Sequence, residues 1–199
     1  MRSLHLLFLL LLSSIGSAQD RVMGRVEIVE AARSQIGKTI RYSPDYMVID
    51  YPGGDIPLDS GVCTDVVVRA LRQAFQFDLQ KQVHQDMKAH FSAYPAQWGL
   101  KRPDRNIDHR RVPNLATFFK RRGLAIPITD RPEDYQPGDI VTCTVPPHLP
   151  HIMIVSDRKT SDSCPFVIHN IGAGTREDDC LFDFPITGHF RFKVPPDGD

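Results

Sequence analysis

The sequence predicts an α+β fold, in which helices from the first part of the chain pack on an antiparallel sheet formed by the second part. Two observations support this prediction. Before Gly123, apolar residues recur every three or four positions, as on one face of a helix. After Pro137 the pattern changes to short apolar runs separated by turn residues, which is typical of strands. Helices followed by strands in separate parts of a chain favour the α+β class.

Four amphipathic helices are predicted in the first part. The first covers residues 25–36. The second begins at Cys63, and Ser60 is placed to cap its first free amides. The third carries the apolar stripe from Leu79 to Phe91, and the fourth runs from Pro113 to a stop at Gly123. Each stripe is interpreted first as a core-facing surface.

Four strands are predicted in the second part. Three apolar runs cover residues 140–145, 151–156 and 166–171. The tail, residues 188–194, alternates apolar and polar side chains with period two, as a half-exposed strand does.

The N-terminus has the features of an export signal. Arg2 precedes the apolar run Leu6–Leu12, and small residues follow as far as Ala18. This run is much shorter than the roughly 20 residues that a transmembrane helix needs. We therefore expect residues 1–18 to be a cleaved signal peptide, and residues 19–199 to form a single domain without a transmembrane segment. The expected location is periplasmic or secreted.

The charge balance gives no support to a nucleic-acid partner. The chain has 24 basic and 24 acidic side chains and a formal net charge of zero. Proteins that bind nucleic acid through phosphate contacts usually carry a strong basic excess. The sequence leaves the oligomeric state open.

The four cysteines allow three complete pairings in an oxidising compartment. We predict a disulfide between Cys164 and Cys180, because they lie outside the segments that carry candidate catalytic residues. Closing their loop would stabilise the folded protein by roughly 3 kcal/mol. Cys63 and Cys143 would then stay reduced. A Cys63–Cys143 bridge remains the alternative, and it would remove Cys63 as a nucleophile.

Cys63 is the candidate nucleophile. The positive end of a helix lowers the pKa of a thiol, and the thiolate is the reactive form. The backbone N–H at a helix start has no helical partner, so it can stabilise an oxyanion on an attacked carbonyl. The competing interpretation is a buried thiol in the core, since free cysteine is among the most buried residue types.

Histidines on the predicted strands favour the catalytic interpretation. His151 opens an apolar strand and can act as a general base directed toward a helix packed on the sheet. His148, in a proline-rich loop, is the rival. Either His169 or Asn170 could orient His151, but only one can face it, because successive strand side chains point to opposite faces.

The order of these segments resembles the NlpC-type papain-like cysteine peptidases of bacterial cell walls. The resemblance lies in Gly61-Val62-Cys63-Thr64-Asp65, Pro137-Gly138-Asp139-Ile140-Val141, His151-Ile152-Met153-Ile154 and Val167-Ile168-His169-Asn170. It implies a papain-like fold with Cys63 as nucleophile, His151 as base and His169 as the orienting residue. It also implies a loop tyrosine at the oxyanion site, which could be Tyr42 or Tyr51.

The resemblance further implies an exported hydrolase that cleaves amide bonds in peptidoglycan peptide stems, without a metal or cofactor. Two features depart from the peptidase pattern. Val62-Cys63-Thr64-Asp65 replaces the usual Asp-Cys-Ser-Gly, and a helical insertion lies near residues 77–123. The segments Gly61–Val67, Asn106–Asn114 and His169–Gly174 are also similar to an exported bacterial family catalogued only as a domain of unknown function.

Three other functions compete. A metal hydrolase could use His84 and His90, but these are six residues apart, whereas a helical pair of ligands needs three or four. A non-catalytic cell-envelope binding module could keep the fold with Cys63 packed or bridged. A thiol hydrolase could instead act on a protein amide or a lipid ester. The segment Asp108-His109-Arg110-Arg111 could cap the fourth helix or bind substrate carboxylates.

Overall fold

A computed structural model of the protein describes residues 25–192. The predicted signal peptide, residues 1–18, and the end of the predicted tail strand lie outside this range. The described part contains four α-helices, which are α1 (25–33), α2 (Cys63–Phe75), α3 (Leu79–Ala89) and α4 (Val112–Arg121). Short 3-10 turns cover Phe91–Ala93, Asp108–Arg110 and Pro132–Asp134.

Five of the seven strands form one antiparallel sheet. The strands are β1 (Arg41–Tyr42), β2 (Ser60–Gly61), β3 (Ile140–Val145), β4 (Leu149–Lys159), β5 (Pro165–His169), β6 (Arg176–Asp178) and β7 (Ile186–Phe190). The order in the large sheet is β6-β5-β4-β3-β7, and β1 and β2 form a short parallel pair. The predicted α+β class with helices packed on an antiparallel sheet is therefore confirmed.

The two faces of the sheet cover two different apolar clusters. On one face, Ile152 and Ile154 of β4 pack with Val67 and Leu71 of α2. On the other face, Met153 packs in a smaller cluster beneath Tyr135, Leu181 and neighbouring strand residues. This division follows from the period of two along a strand. The larger cluster fixes α2 against β4.

Several elements differ from the sequence-based predictions. The strand β4, at Leu149–Lys159, is longer than the predicted 151–156, and β5, at Pro165–His169, ends before the predicted residue 171. The first helix ends at residue 33 rather than 36. The last strand is β7 at Ile186–Phe190, earlier than the predicted 188–194. The strand β6 was not predicted, because its three residues, Arg-Glu-Asp, are all charged and carry no apolar alternation. Pairing with β5 creates this strand. Among residues 25–192, no helix is both long and apolar enough to cross a membrane.

Candidate active site

Cys63 is the first residue of α2, and Val62 occupies the N-cap position. The prediction that Ser60 caps this helix was wrong. Ser60 lies in β2, and its hydroxyl donates to the Asp59 carboxylate at 2.8 Å. Asp65, three residues after the cap, instead accepts a hydrogen bond from the backbone N–H of Val62 at 2.7 Å. A carboxylate in the first turn satisfies a free amide and also suits the positive end of the helix.

The Cys63 thiol lies at an interrupted edge of the sheet. The pairing of β4 with β5 ends at Ile154 and Ile168, so the backbone N–H of Ile152 has no strand partner there. That N–H instead donates to the sulfur of Cys63. The thiol is thus held beside the residue that follows His151.

Burial raises the pKa of the Cys63 thiol to about 12. The nearby Asp65 carboxylate raises the pKa further, while backbone N–H groups, including that of Ile152, lower it. The first amides of α2, those of Cys63 and Thr64, lower the thiol pKa as expected, but desolvation of the thiolate is the larger effect, so the net pKa is raised. The resting side chain is a neutral thiol.

Three side chains form a hydrogen-bonded line across β4, β5 and β6. Nε2 of His151 lies 2.8 Å from Nδ1 of His169. Nε2 of His169 lies 3.1 Å from a carboxylate oxygen of Asp178. The strand register makes each contact a diagonal one on the same face of the sheet. Asp178 was missed from sequence because it stands in the charged strand β6.

The hydrogen bonds in this line determine which ring nitrogens carry protons. A carboxylate only accepts, so Nε2–H of His169 donates to Asp178 and leaves Nδ1 of a neutral His169 as an acceptor. Nε2–H of His151 then donates to that Nδ1. A neutral His151 in this tautomer has an unprotonated Nδ1. That atom is free to accept a proton, as a general base must be.

Both histidines are held in the neutral form. Burial, with a smaller contribution from His169, lowers the pKa of His151 to about 3. Burial also lowers the pKa of His169, although Asp178 opposes that change. The proton positions on His151 and His169 require both imidazole rings to be neutral, and a lowered pKa favours the neutral form of each ring.

The direction of His151 differs from the prediction. His151 is paired with Cys143 and shares the sheet face of Met153, opposite to the face on which Ile152 packs against α2. The side chain therefore does not point at the apolar stripe of α2, contrary to expectation. Within residues 25–192, no hydrogen bond joins the Cys63 thiol to His151.

The positions of the side chains distinguish His169 from Asn170 as the residue that contacts His151, and they separate His148 from both. His169 contacts His151, whereas the side-chain amide of Asn170 donates to the carbonyl oxygens of Arg41 at 3.2 Å and Gly61 at 3.0 Å. Asn170 thus fixes the chain that precedes Cys63. His148 is exposed in the turn between β3 and β4.

A pocket of about 530 Å³ opens beside Cys63. Aromatic side chains and the starts of α2 and α4 form most of its wall. The lining residues are Tyr42, Pro44, Tyr46, Val62, Cys63, Gln97, Trp98, Ile107, Arg110, Arg111, Val112, Pro113 and Pro150. Of the two candidate tyrosines, Tyr42 is therefore the one beside Cys63. Tyr51 packs edge-on against His84 at 5.1 Å between ring centroids.

The segment Asp108-His109-Arg110-Arg111 does not cap α4 with a side chain. Of its two arginines, Arg110 already has protein partners for its guanidinium. Residue 111 is the N-cap of α4, and it makes no side-chain capping bond. The guanidinium of Arg110 is buried and binds Asp65 through two 3.0 Å contacts, and it also donates to the carbonyls of Ser43 and Asp45. Arg110 thus ties the loop after β1 to the start of α2.

The predicted Cys164–Cys180 disulfide is absent, and this prediction is corrected. All four cysteines are free thiols. The sulfur of Cys180 lies 3.8 Å from Nε2 of His169, while that of Cys164 contacts the carbonyl of Pro165. Both side chains nevertheless pack against the smaller apolar cluster of the sheet.

Residues 25–192 contain no group of three or more His, Cys, Asp or Glu side chains that could hold a metal ion. The two histidines weighed as metal ligands have separate partners. The ring of His84 packs against Tyr51, and Nδ1 of His90 lies 3.4 Å from the Asp86 carboxylate.

Two comparisons place the chain among known sequences. Residues 29–192 match the family described as Domain of unknown function (DUF1287). Uncharacterized protein YijF of Escherichia coli (strain K12) is 53% identical over 167 residues, which cover 84% of this chain and 81% of that protein. The predicted similarity to a family catalogued as a domain of unknown function is thereby confirmed. The chain belongs to the family Domain of unknown function (DUF1287).

Proposed function

We propose that this protein is an exported cysteine hydrolase that cleaves amide bonds in the peptide stems of peptidoglycan. Cys63 is the nucleophile, His151 the general base and His169 the residue that orients it. The observation that carries the proposal is the line from His151 through His169 to Asp178, which leaves Nδ1 of His151 unprotonated. The resemblance to papain-like cell-wall peptidases supports the same three roles.

The reaction starts from a neutral thiol and a neutral imidazole. Nδ1 of His151 takes the proton of the Cys63 thiol as the sulfur attacks the carbonyl carbon, and the imidazolium is stabilised through His169 by Asp178. Apo sites often hold such partners farther apart than the reacting complex does. Because no hydrogen bond joins the two side chains within residues 25–192, the proposed reaction requires Nδ1 of His151 and the Cys63 thiol to come within hydrogen-bond reach when a substrate binds.

The tetrahedral intermediate carries an oxyanion next to the start of α2. The backbone N–H of Cys63 and the hydroxyl of Tyr42 are the donors that we assign to it. Collapse of the intermediate breaks the C–N bond, and His151 gives its proton to the departing amine. Water then attacks the thioester with His151 again accepting a proton, which releases a carboxylic acid and restores the thiol.

The experiment is digestion of purified muropeptides, with the products identified by mass spectrometry. We compare the wild type with Cys63→Ala and with the matched control Cys164→Ala, whose thiol lies outside the site. The wild type and the control should produce the same new fragments, and Cys63→Ala should produce none. Unchanged muropeptides in every sample would refute the cell-wall assignment, even with a reactive thiol.

A second candidate is a non-catalytic binding module on the same fold. It is favoured by the raised pKa of the buried Cys63 thiol and by the lack of a hydrogen bond to His151 in the described residues. This candidate predicts that wild type and Cys63→Ala bind muropeptides equally and cleave none. Protein amides and lipid esters, offered as substrates to the same variants, test the remaining thiol chemistry.

A further inference from the structure

The charges around the pocket beside Cys63 are asymmetric. Its lining includes two arginines, Arg110 and Arg111, but no aspartate or glutamate. Val62 and Cys63 bring the start of α2 to the pocket, and Val112 brings the start of α4. Helix starts carry partial positive charge. The pocket therefore favours an anionic group on its ligand.

The two arginines differ in the donors that they leave free. Arg110 already binds the Asp65 carboxylate through two nitrogens, and it donates to two backbone carbonyls as well. Arg111 uses one nitrogen, Nη1, to bind Asp108 at 3.2 Å. Its Nε and Nη2 make no hydrogen bond within residues 25–192. These two nitrogens form the edge of a guanidinium that binds a carboxylate in bidentate fashion.

The Arg111 side chain is held in place at this wall. Its guanidinium carbon lies 4.2 Å from the ring centroid of Trp98, which lines the same pocket. Its side chain is 17% exposed, so the group is partly desolvated but still reachable. Arg111 and Trp98 also line the neighbouring pocket, together with Asp108, whereas Asp108 does not line the pocket beside Cys63. Stacking and the ion pair thus fix the free edge of Arg111 before a ligand arrives.

We propose that Arg111, supported by Trp98, binds a carboxylate of the substrate and makes the protein selective for acidic peptide chains. This inference rests on the proposed function, because it names the substrate group that enters the pocket beside Cys63. The peptide stems of muropeptides carry such free carboxylates. A stem in which the carboxylates are amidated should bind poorly.

Trp98 supplies a direct binding signal, since it is the single tryptophan of the chain. We titrate Cys63→Ala protein, which removes turnover, with soluble muropeptides and follow tryptophan fluorescence. The same muropeptides after chemical amidation of their carboxylates are the paired probe. Arg111→Gln is introduced in the same background, together with Arg111→Lys, which keeps the charge but loses the bidentate edge.

Arg122→Gln is the matched control. Arg122 also stacks on an aromatic ring, at 5.1 Å from the Phe118 centroid, and donates to Gln82, but it does not line the pocket. The untreated muropeptides should change the fluorescence with an affinity that falls by about tenfold or more on amidation or in Arg111→Gln. The affinity of Arg111→Lys for untreated muropeptides should lie between those of Arg111→Gln and the Cys63→Ala parent. The affinity of Arg122→Gln should equal that of the parent.

Equal binding of amidated and untreated muropeptides would overturn the inference, as would unchanged affinity in folded Arg111→Gln and Arg111→Lys proteins. If the wild type cleaves muropeptides without any preference for free carboxylates, the inference fails and the proposed function stands. If carboxylate-dependent binding occurs but the wild type cleaves nothing, the inference stands and the proposed function fails.

Discussion

Alkylation of Cys63 by iodoacetamide should depend steeply on pH, because only the thiolate reacts and burial raises the thiol pKa to about 12. The pKa of His151 is lowered to about 3, so the imidazole carries no proton at neutral pH that could hold a thiolate. The resting pair is therefore neutral. This distinguishes it from a cysteine that is activated as a thiolate–imidazolium pair.

The magnitude follows from the thiol pKa. With a pKa of about 12, the thiolate fraction is about 10⁻⁵ at pH 7 and rises roughly tenfold with each pH unit. A free cysteine with a pKa of about 8.5 has a fraction of about 0.03 at pH 7. The thiolate fraction of Cys63 is thus about 3,000 times smaller than that of a free cysteine. Because a thiolate of higher pKa is the stronger nucleophile, Cys63 should react at least about a hundred times more slowly than glutathione at that pH.

Labelling is measured between pH 6 and pH 9.5 by mass spectrometry of the peptide that contains Cys63, which separates it from the other three thiols. Glutathione in the same sample is the internal standard for the reactivity of iodoacetamide. The Cys63→Ser protein confirms which peptide contains Cys63. A labelling rate that stays constant between pH 6 and about pH 8 would contradict the raised thiol pKa, since it requires a thiolate held by a protonated His151.

Two further predictions concern buried charge and the third side chain of the line. Arg110→Ala leaves a carboxylate buried without its partner and should lower the free energy of unfolding in urea by about 3–5 kcal/mol. Arg41→Ala removes an exposed ion pair and should lower the free energy of unfolding by at most about 1 kcal/mol. Equal losses in the two variants would contradict the interpretation of Arg110–Asp65 as a buried, stabilising ion pair. Asp178→Asn should lower muropeptide turnover by about tenfold, because the imidazolium of the reaction loses its charged acceptor. The neighbouring Asp179→Asn should leave turnover unchanged, and a loss of turnover there would point to a general charge effect.

Much of the fold was accessible from local patterns. The stripes that predicted α3 and α4 lie on the faces that these helices bury, and the stripe that predicted α2 lies in a helix whose first nine residues are all buried. The apolar runs of β3, β4 and β5 are the centre of the sheet. These patterns are local, because a helix or strand must present its apolar face to the core at its own period. The strand β6 was not accessible, since its charged residues become a strand only by pairing with β5.

The sequence by itself determined that Cys63 starts a helix, that His151 and His169 stand on neighbouring strands, and that the family is one of unknown function. Only the tertiary structure decided which of these groups are in contact: His151 contacts His169, whereas no hydrogen bond joins Cys63 to His151 within residues 25–192. The pKa of the thiol depends on desolvation by residues that are distant in sequence, and the line to Asp178 depends on strand register. Burial and register arise when separate elements pack, so no local pattern contains them.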